Sequence, residues 1–261
     1  MSSSFAQRVA IITGASSGIG LAVAKHLARE GATVILTGRN RERGERAIAD
    51  IGAKQSFFWA ADLNDGGAIE QLLQRTIERH GRIDVLVQCA GLTGPFAALG
   101  EYPLAAWEEL LAVNLTAPFR LMRAVFPAMT AQRRGAIVNV ASIAGLAGAA
   151  NRAAYIASKH GLVGLTRAAA LEGAPVGVRV NAVCPGGTDT PMMRAWLKDD
   201  PAAIAARGAA TPMGRLATPD EVGAMIVWLC SDAASYVNGA IIPVDGGSMA
   251  MVPSRLPPRP T

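Results

Sequence analysis

Cysteine, histidine, aromatic and charged residues are all scarce in this sequence, and each shortage excludes a class of function. Three cysteines (Cys89, Cys184, Cys230) show no CxxC spacing, and three histidines (His26, His80, His160) lie far apart. This leaves no ligand set for a metal and no disulfide framework, so the thiols read as reduced and mostly buried. Charged residues make up 17% of the chain, against a usual share of about a quarter. The net charge is +5, but the arginines are scattered rather than gathered into a stripe, which argues against a nucleic-acid partner. No uninterrupted apolar run reaches the roughly 20 residues that span a bilayer. Residues 1–6 have neither the basic patch nor the apolar stretch of a secretory leader. The expectation is a soluble, cytoplasmic protein with no membrane partner.

What the chain does contain is a regular alternation. Short β-branched runs at 9–13, 33–37, 56–59, 83–88, 136–140, 178–183 and 240–244 are separated by Ala- and Leu-rich helical patterns. The helical patterns lie near 18–30, 41–51, 67–79, 104–129, 152–172 and 219–230. Runs such as Val9-Ala10-Ile11-Ile12 are apolar at consecutive positions, as strands covered on both faces must be. The expected fold is α/β: one domain over residues 1–261, with a doubly wound, Rossmann-type, seven-stranded parallel sheet and helices on both faces. The Ala-, Met- and Pro-rich segment 186–214 is too long for a plain loop and reads as a lid over a site. A Pro/Arg tail at 253–261 reads as chain end.

The first strand runs into Thr13-Gly14-Ala15-Ser16-Ser17-Gly18-Ile19-Gly20 and then a helix. Gly14 permits a sharp turn, Gly18 lets backbone approach a pyrophosphate, and Gly20 lets helix and strand pack closely. A pyrophosphate would then lie over free N–H groups at the helix N-terminus. The second strand ends in Gly38-Arg39 with no acid. A guanidinium there suits a ribose 2′-phosphate better than a 2′-hydroxyl, which favours NADP(H) over NAD(H). The competing reading is a solvated loop arginine.

Within the 152–172 helix, Tyr155 and Lys159 are four apart and share a face. A neighbouring ammonium favours the phenolate and brings a tyrosine proton within reach of catalysis. Ser142 stands thirteen residues upstream, just after the fifth strand, at the sheet edge where ligands bind in such folds.

Taken together, these motifs resemble the short-chain dehydrogenases/reductases in their single-domain form, from Arg8 to Gly247. The matching positions also include Asp62-Leu63, Ala90-Gly91, Asn114, Pro185-Gly186, Thr190 and Val244-Asp245-Gly246-Gly247. The resemblance implies hydride exchange between a nicotinamide and an alcohol or carbonyl carbon. In it Tyr155 is the acid/base, Ser142 holds the substrate oxygen, Lys159 binds the nicotinamide ribose and tunes Tyr155, and Asn114 holds a relay water. Asp62 and Leu63 would contact adenine, and Thr188 and Thr190 the nicotinamide end. A homotetramer paired through helices near 104–129 and 152–172 is also implied. Three departures stand out: Gln88-Cys89 where the family has Asn-Asn, Asn238 where threonine is common, and Ser17 where many NADP-using members have a basic residue.

An NAD-dependent alcohol, sterol or diol dehydrogenase and a non-catalytic dinucleotide sensor are the alternatives. The Ala/Gly run at 144–150, facing Met192, Met193 and Trp196, suggests a roomy pocket for apolar ketones. Arg152 and Arg194 read as surface residues, the competing reading being that they meet an acidic substrate. Finally, Pro118 has no N–H to offer the carbonyl of Asn114, which predicts a kink at 114–118 with that carbonyl free for a water near Lys159.

Overall fold

The computed structural model describes residues 5–251; the 253–261 tail therefore lies outside the described residues. Seven parallel strands form one sheet in the order β3-β2-β1-β4-β5-β6-β7. They are β1 (Val9–Thr13), β2 (Thr33–Gly38), β3 (Ser56–Ala60), β4 (Val85–Gln88), β5 (Gly135–Val140), β6 (Val178–Pro185) and β7 (Ile241–Val244). The order reverses between β1 and β4, so the crevice beyond the carboxyl ends of these two strands is the natural ligand site.

Strand pleating explains the two covering layers. On β1, Ala10 and Ile12 enter a core shared with α1 (Gly18–Arg29) and α9 (Pro219–Cys230). Val9 and Ile11 point the other way, into a core shared with α3 (Gly66–His80) and α5 (Ala117–Gln132). Both faces are dry, which is why the strand reads as a continuous apolar run rather than an alternating one. The remaining long helices are α2 (Arg41–Ile51), α4 (Leu104–Leu111) and α6 (Ala153–Gly173).

Four differences from the sequence expectation exceed a single residue. β4 starts at Val85 instead of residue 83. The buried Asp84 carboxylate accepts the Val9 N–H at 2.9 Å and pairs with Arg82, a role outside the strand ladder. β6 runs on to Pro185, where its register with Val244 continues. The 186–214 segment is helical in part, with α7 (Pro191–Trp196) and α8 (Pro201–Ala209) capped by the side chains of Thr190 and Asp200.

The fourth difference is the single helix expected over 104–129. It is interrupted by a π-helical turn at Ala112–Thr116, where the Ala117 N–H reaches back five residues to the Ala112 carbonyl. The extra residue in this turn absorbs the irregularity expected of Pro118. Pro118 then falls in the first turn of α5, where a missing N–H leaves no gap in that helix.

The departure at Asn238 is satisfied and that at Gln88 is half satisfied, because the Gln88 amide nitrogen is bonded while its buried Oε1 has no partner. Gln88 Nε2 donates to Asn139 Oδ1 (3.0 Å) and the Pro118 carbonyl (3.2 Å), and Asn139 Nδ2 donates to Thr166 Oγ1 (2.9 Å). This buried chain ties β4 to β5, α5 and α6. Asn238 accepts from the Val180 N–H and donates to the Ala170 carbonyl, both at 2.8 Å.

Candidate active site

The Gly-rich turn is shaped by close approaches. Gly14 sits at φ +62°, and a Cβ there would lie 2.7 Å from the Ala90 nitrogen. The turn is held from both neighbours: the Gly14 N–H donates to the Thr37 carbonyl (3.0 Å), and Thr13 Oγ1 accepts the Ala90 N–H (3.1 Å). Gly20 packs against the turn itself, where a Cβ would meet the Gly14 carbonyl oxygen at 2.6 Å. Gly18, at φ +55°, faces Thr190 of the lid. The N-cap residue Ser17 makes no side-chain hydrogen bond to the first turn of α1, leaving its N–H groups to an outside acceptor.

A cavity of about 310 Å³ opens from this turn. Around it stand Ser17, Gly18, Ile19, Gly20 and Gly91 at one end and Ser142, Tyr155 and Lys159 at the other. Pro185, Gly186, Thr188 and Thr190 close it from β6, with Met192, Met193 and Trp196 on α7 forming the lid wall. Residues near Ser142, including Ala144, Ala147 and Ala149, supply the apolar floor.

The reacting groups are each fixed by the fold. Lys159 is buried, and its ammonium donates to the Val140 carbonyl at 2.9 Å, while lying 5.8 Å from the centre of the Tyr155 ring. Ser142 Oγ accepts the Ala144 N–H at 3.1 Å, so its own O–H can be offered elsewhere. Asn114, fully buried within the π-helical turn, spends its whole side chain on structure. Its Oδ1 accepts the Leu92 N–H, and its amide donates to the Leu92 carbonyl and to Ser158 Oγ. A Cβ on Gly91 would stand 3.3 Å from Asn114 Oδ1 and 3.8 Å from Lys159 Nζ, so these two groups flank that turn.

Not every expected residue reaches the cavity wall. Ser16, Arg39, Asp62, Leu63, Ala90 and Asn114 do not line it. Ala90 and Asn114 support it from behind. Arg39 and Asp62 are exposed at the carboxyl ends of the adjacent strands β2 and β3, and the Gly38 carbonyl accepts the Ala61 N–H.

The surface reading of the two arginines is half right. Arg194 is outside the cavity and pairs with Asp189 (2.6 Å) and Asp199 (3.6 Å). Arg152 is instead part of the cavity wall, with its guanidinium carbon 4.3 Å from the centre of the Tyr155 ring. Burial, then the charge of Arg207, pulls its pKa below the usual arginine value, partly offset by Tyr155 and Tyr102. Arg207, on α8, also lines the cavity, as do Cys89 and Leu92; the sequence reading assigned none of these three. Desolvation pushes the Cys89 thiol up to about 12, which keeps it protonated and unsuited to nucleophilic work.

The comparisons with known proteins agree with this geometry. A family model described as enoyl-(acyl carrier protein) reductase matches residues 14–249. A cis-4-hydroxycyclohexanecarboxylate dehydrogenase of Sinomonas cyclohexanicum is 43% identical over 96% of this chain and 100% of its own. The chain belongs to the short-chain dehydrogenase/reductase family. It is an oxidoreductase that transfers hydride between a nicotinamide dinucleotide and an alcohol or carbonyl carbon. Among solved structures, levodione reductase superposes with a TM-score of 0.91 at 36% identity, covering 95% of this chain and 100% of that one. An NADPH-bound actinorhodin polyketide ketoreductase (0.89; 36%; 94% and 98%) and an NAD⁺-bound xylitol dehydrogenase (0.88; 33%; 93% and 99%) share the fold. No helix among the described residues is long and apolar enough to cross a membrane.

Proposed function

We propose that this chain is an NADP(H)-dependent reductase of cyclic and other largely apolar ketones, acting in the cytoplasm as a homotetramer. One observation supports it above the rest: Ser142, Tyr155 and Lys159 stand on the same cavity as the uncapped N-terminus of α1. The name of the hydroxycyclohexanecarboxylate relative supports a ring-bearing substrate. Half-exposed Phe119 on α5 and exposed Leu171 on α6 suit helices that pair with other subunits.

The cradle fits a dinucleotide. Gly14 and Gly20 pass where a Cβ would collide with backbone, and free N–H groups of α1 suit a pyrophosphate. When bound, the nicotinamide supplies or accepts the hydride. The chain does the rest. In the reductive direction Ser142 donates its O–H to the substrate oxygen, and Tyr155 gives that oxygen a proton as negative charge develops. Lys159, anchored on Val140, places a positive charge beside the Tyr155 ring. Because the Asn114 side chain is fully committed, its backbone carbonyl is the group left to hold a relay water. The adenosine end would rest near Asp62 and Leu63, with a 2′-phosphate beside Arg39.

Cofactor choice tests this reading. Arg39 makes no ion pair among the described residues, and a Cβ on Gly38 would find only Phe58, at 4.0 Å. A charge-assisted hydrogen bond of about 1.5–3 kcal/mol gives NADPH roughly a tenfold or greater preference in kcat/KM. Arg39→Ala should erode the preference, and Gly38→Asp, which has room for its side chain, should turn it towards NADH. Equal kcat/KM for the two cofactors in the unmodified protein would contradict the NADP(H) assignment.

A further inference from the structure

Two arginines share the cavity with the reacting groups, and neither makes an ion pair or side-chain hydrogen bond among the described residues. Their Nε atoms are both buried without a partner, and the buried Tyr102 hydroxyl beside Arg152 is unpartnered too. The aromatic surroundings make Arg152 a rigid fixture. Its guanidinium carbon lies 4.3 Å from the Tyr155 ring centre, 5.1 Å from Phe96 and 5.4 Å from Trp196, and the last two rings stack at 5.6 Å. All three rings lie within cation–π range of the guanidinium, and its Nε–H is left without a hydrogen-bonding partner.

Two like charges on the wall of one cavity, each with a buried and unpartnered Nε, are a costly arrangement. No carboxylate is among the groups acting on Arg152, which are Tyr155, Arg207 and Tyr102. A ligand anion removes the mismatch. The free Nε atoms narrow its type, because Nε and a terminal nitrogen together form the side-on fork that takes a planar carboxylate through two parallel hydrogen bonds.

We propose that Arg152 and Arg207 form an anion subsite that binds a carboxylate carried by the substrate itself. This rests on the reading of the chain as a reductase of ring ketones, and it narrows that class to keto acids with an apolar ring. The ring lies against Ala147, Ala149 and Met192, while the carboxylate meets the arginines next to Tyr155.

The test compares 4-oxocyclohexanecarboxylate with its methyl ester in the unmodified enzyme, Arg207→Gln and Arg152→Gln. The expected kcat/KM ratio of acid to ester is at least roughly tenfold in the unmodified enzyme, the worth of one charge-assisted pair, and falls at least as much in each variant. An ester preferred by the unmodified enzyme, or a ratio unmoved by both substitutions, overturns the proposal. If Arg152→Gln fails to fold, Arg207→Gln on the lid decides alone. If neither ketone is reduced, the ring-ketone reading is what fails, and calorimetry on the cofactor-loaded protein then decides the subsite. Cyclohexanecarboxylate should bind, and bind at least roughly tenfold more weakly to Arg207→Gln; no binding, or tighter binding of cyclohexanesulfonate, overturns the carboxylate assignment.

Discussion

Tyr155→Phe is expected to lower kcat by roughly 10²–10⁴-fold, the usual worth of a positioned acid or base, while leaving the dissociation constant for the cofactor within about twofold. The substitution is unusually clean here. The ring that packs beneath the Arg152 guanidinium and faces Lys159 is kept, so the lid contacts through Trp196 and Phe96 have no reason to move. Only the transferable proton is lost. Steady-state kinetics on a good substrate, paired with a fluorescence titration of NADPH, separates the two quantities. A variant retaining near-normal turnover would remove Tyr155 from the chemistry.

Ser142→Ala is expected to cost roughly 10²–10³-fold in kcat, as for other donors aimed at a developing oxyanion. Unlike Tyr155, Ser142 has a structural duty as well, because its Oγ accepts the Ala144 N–H at the start of a short helical turn. Loss of that cap costs about 1 kcal/mol of stability, a small part of the expected kinetic effect. Ser142→Thr separates the roles, since it keeps both the hydroxyl and the cap. Turnover should recover at least in part in the threonine variant and not in the alanine variant, even where their melting temperatures match.

The fold was legible because it depends on local patterns that the sheet does not override. Consecutive apolar residues at 9–12 and 85–87 can be satisfied only by strands covered on both faces, and both are. The Gly-rich turn and the Tyr155–Lys159 spacing were likewise visible because each depends on residues close in sequence. What escaped depends on distant partners. Asp84 keeps sheet-like backbone bonds to Val9 and Ala136, and only the fold shows that its buried carboxylate also takes the N–H of Val9. Pro118 announced an irregular helix, but the relief comes before it, as a widened turn that also places Asn114 against Leu92 and Ser158.

Arg152 and Arg207 were the harder cases. Nothing near either residue in the sequence shows that α8 folds back over the cavity, or that Phe96 and Trp196 stack to wall in a guanidinium. An arginine three residues before the tyrosine is the one local signal, and it stands at the N-cap of α6, just outside the helix. Arg39 shows the opposite situation: its place just after β2 was legible in the sequence, because it depends on its immediate neighbours alone.

The central claim is that hydride passes between the nicotinamide and a carbon of the substrate in the cavity holding Ser142, Tyr155 and Lys159. It is tested most directly by supplying NADPH deuterated at the transferable C4 position together with a cyclic ketone and analysing the alcohol by mass spectrometry. The account predicts one deuterium on the carbinol carbon and an unlabelled hydroxyl, with the rate of label transfer lowered roughly 10²–10⁴-fold in Tyr155→Phe. A panel of ring ketones and keto acids returned unreduced, or an alcohol formed without deuterium on carbon, would contradict it.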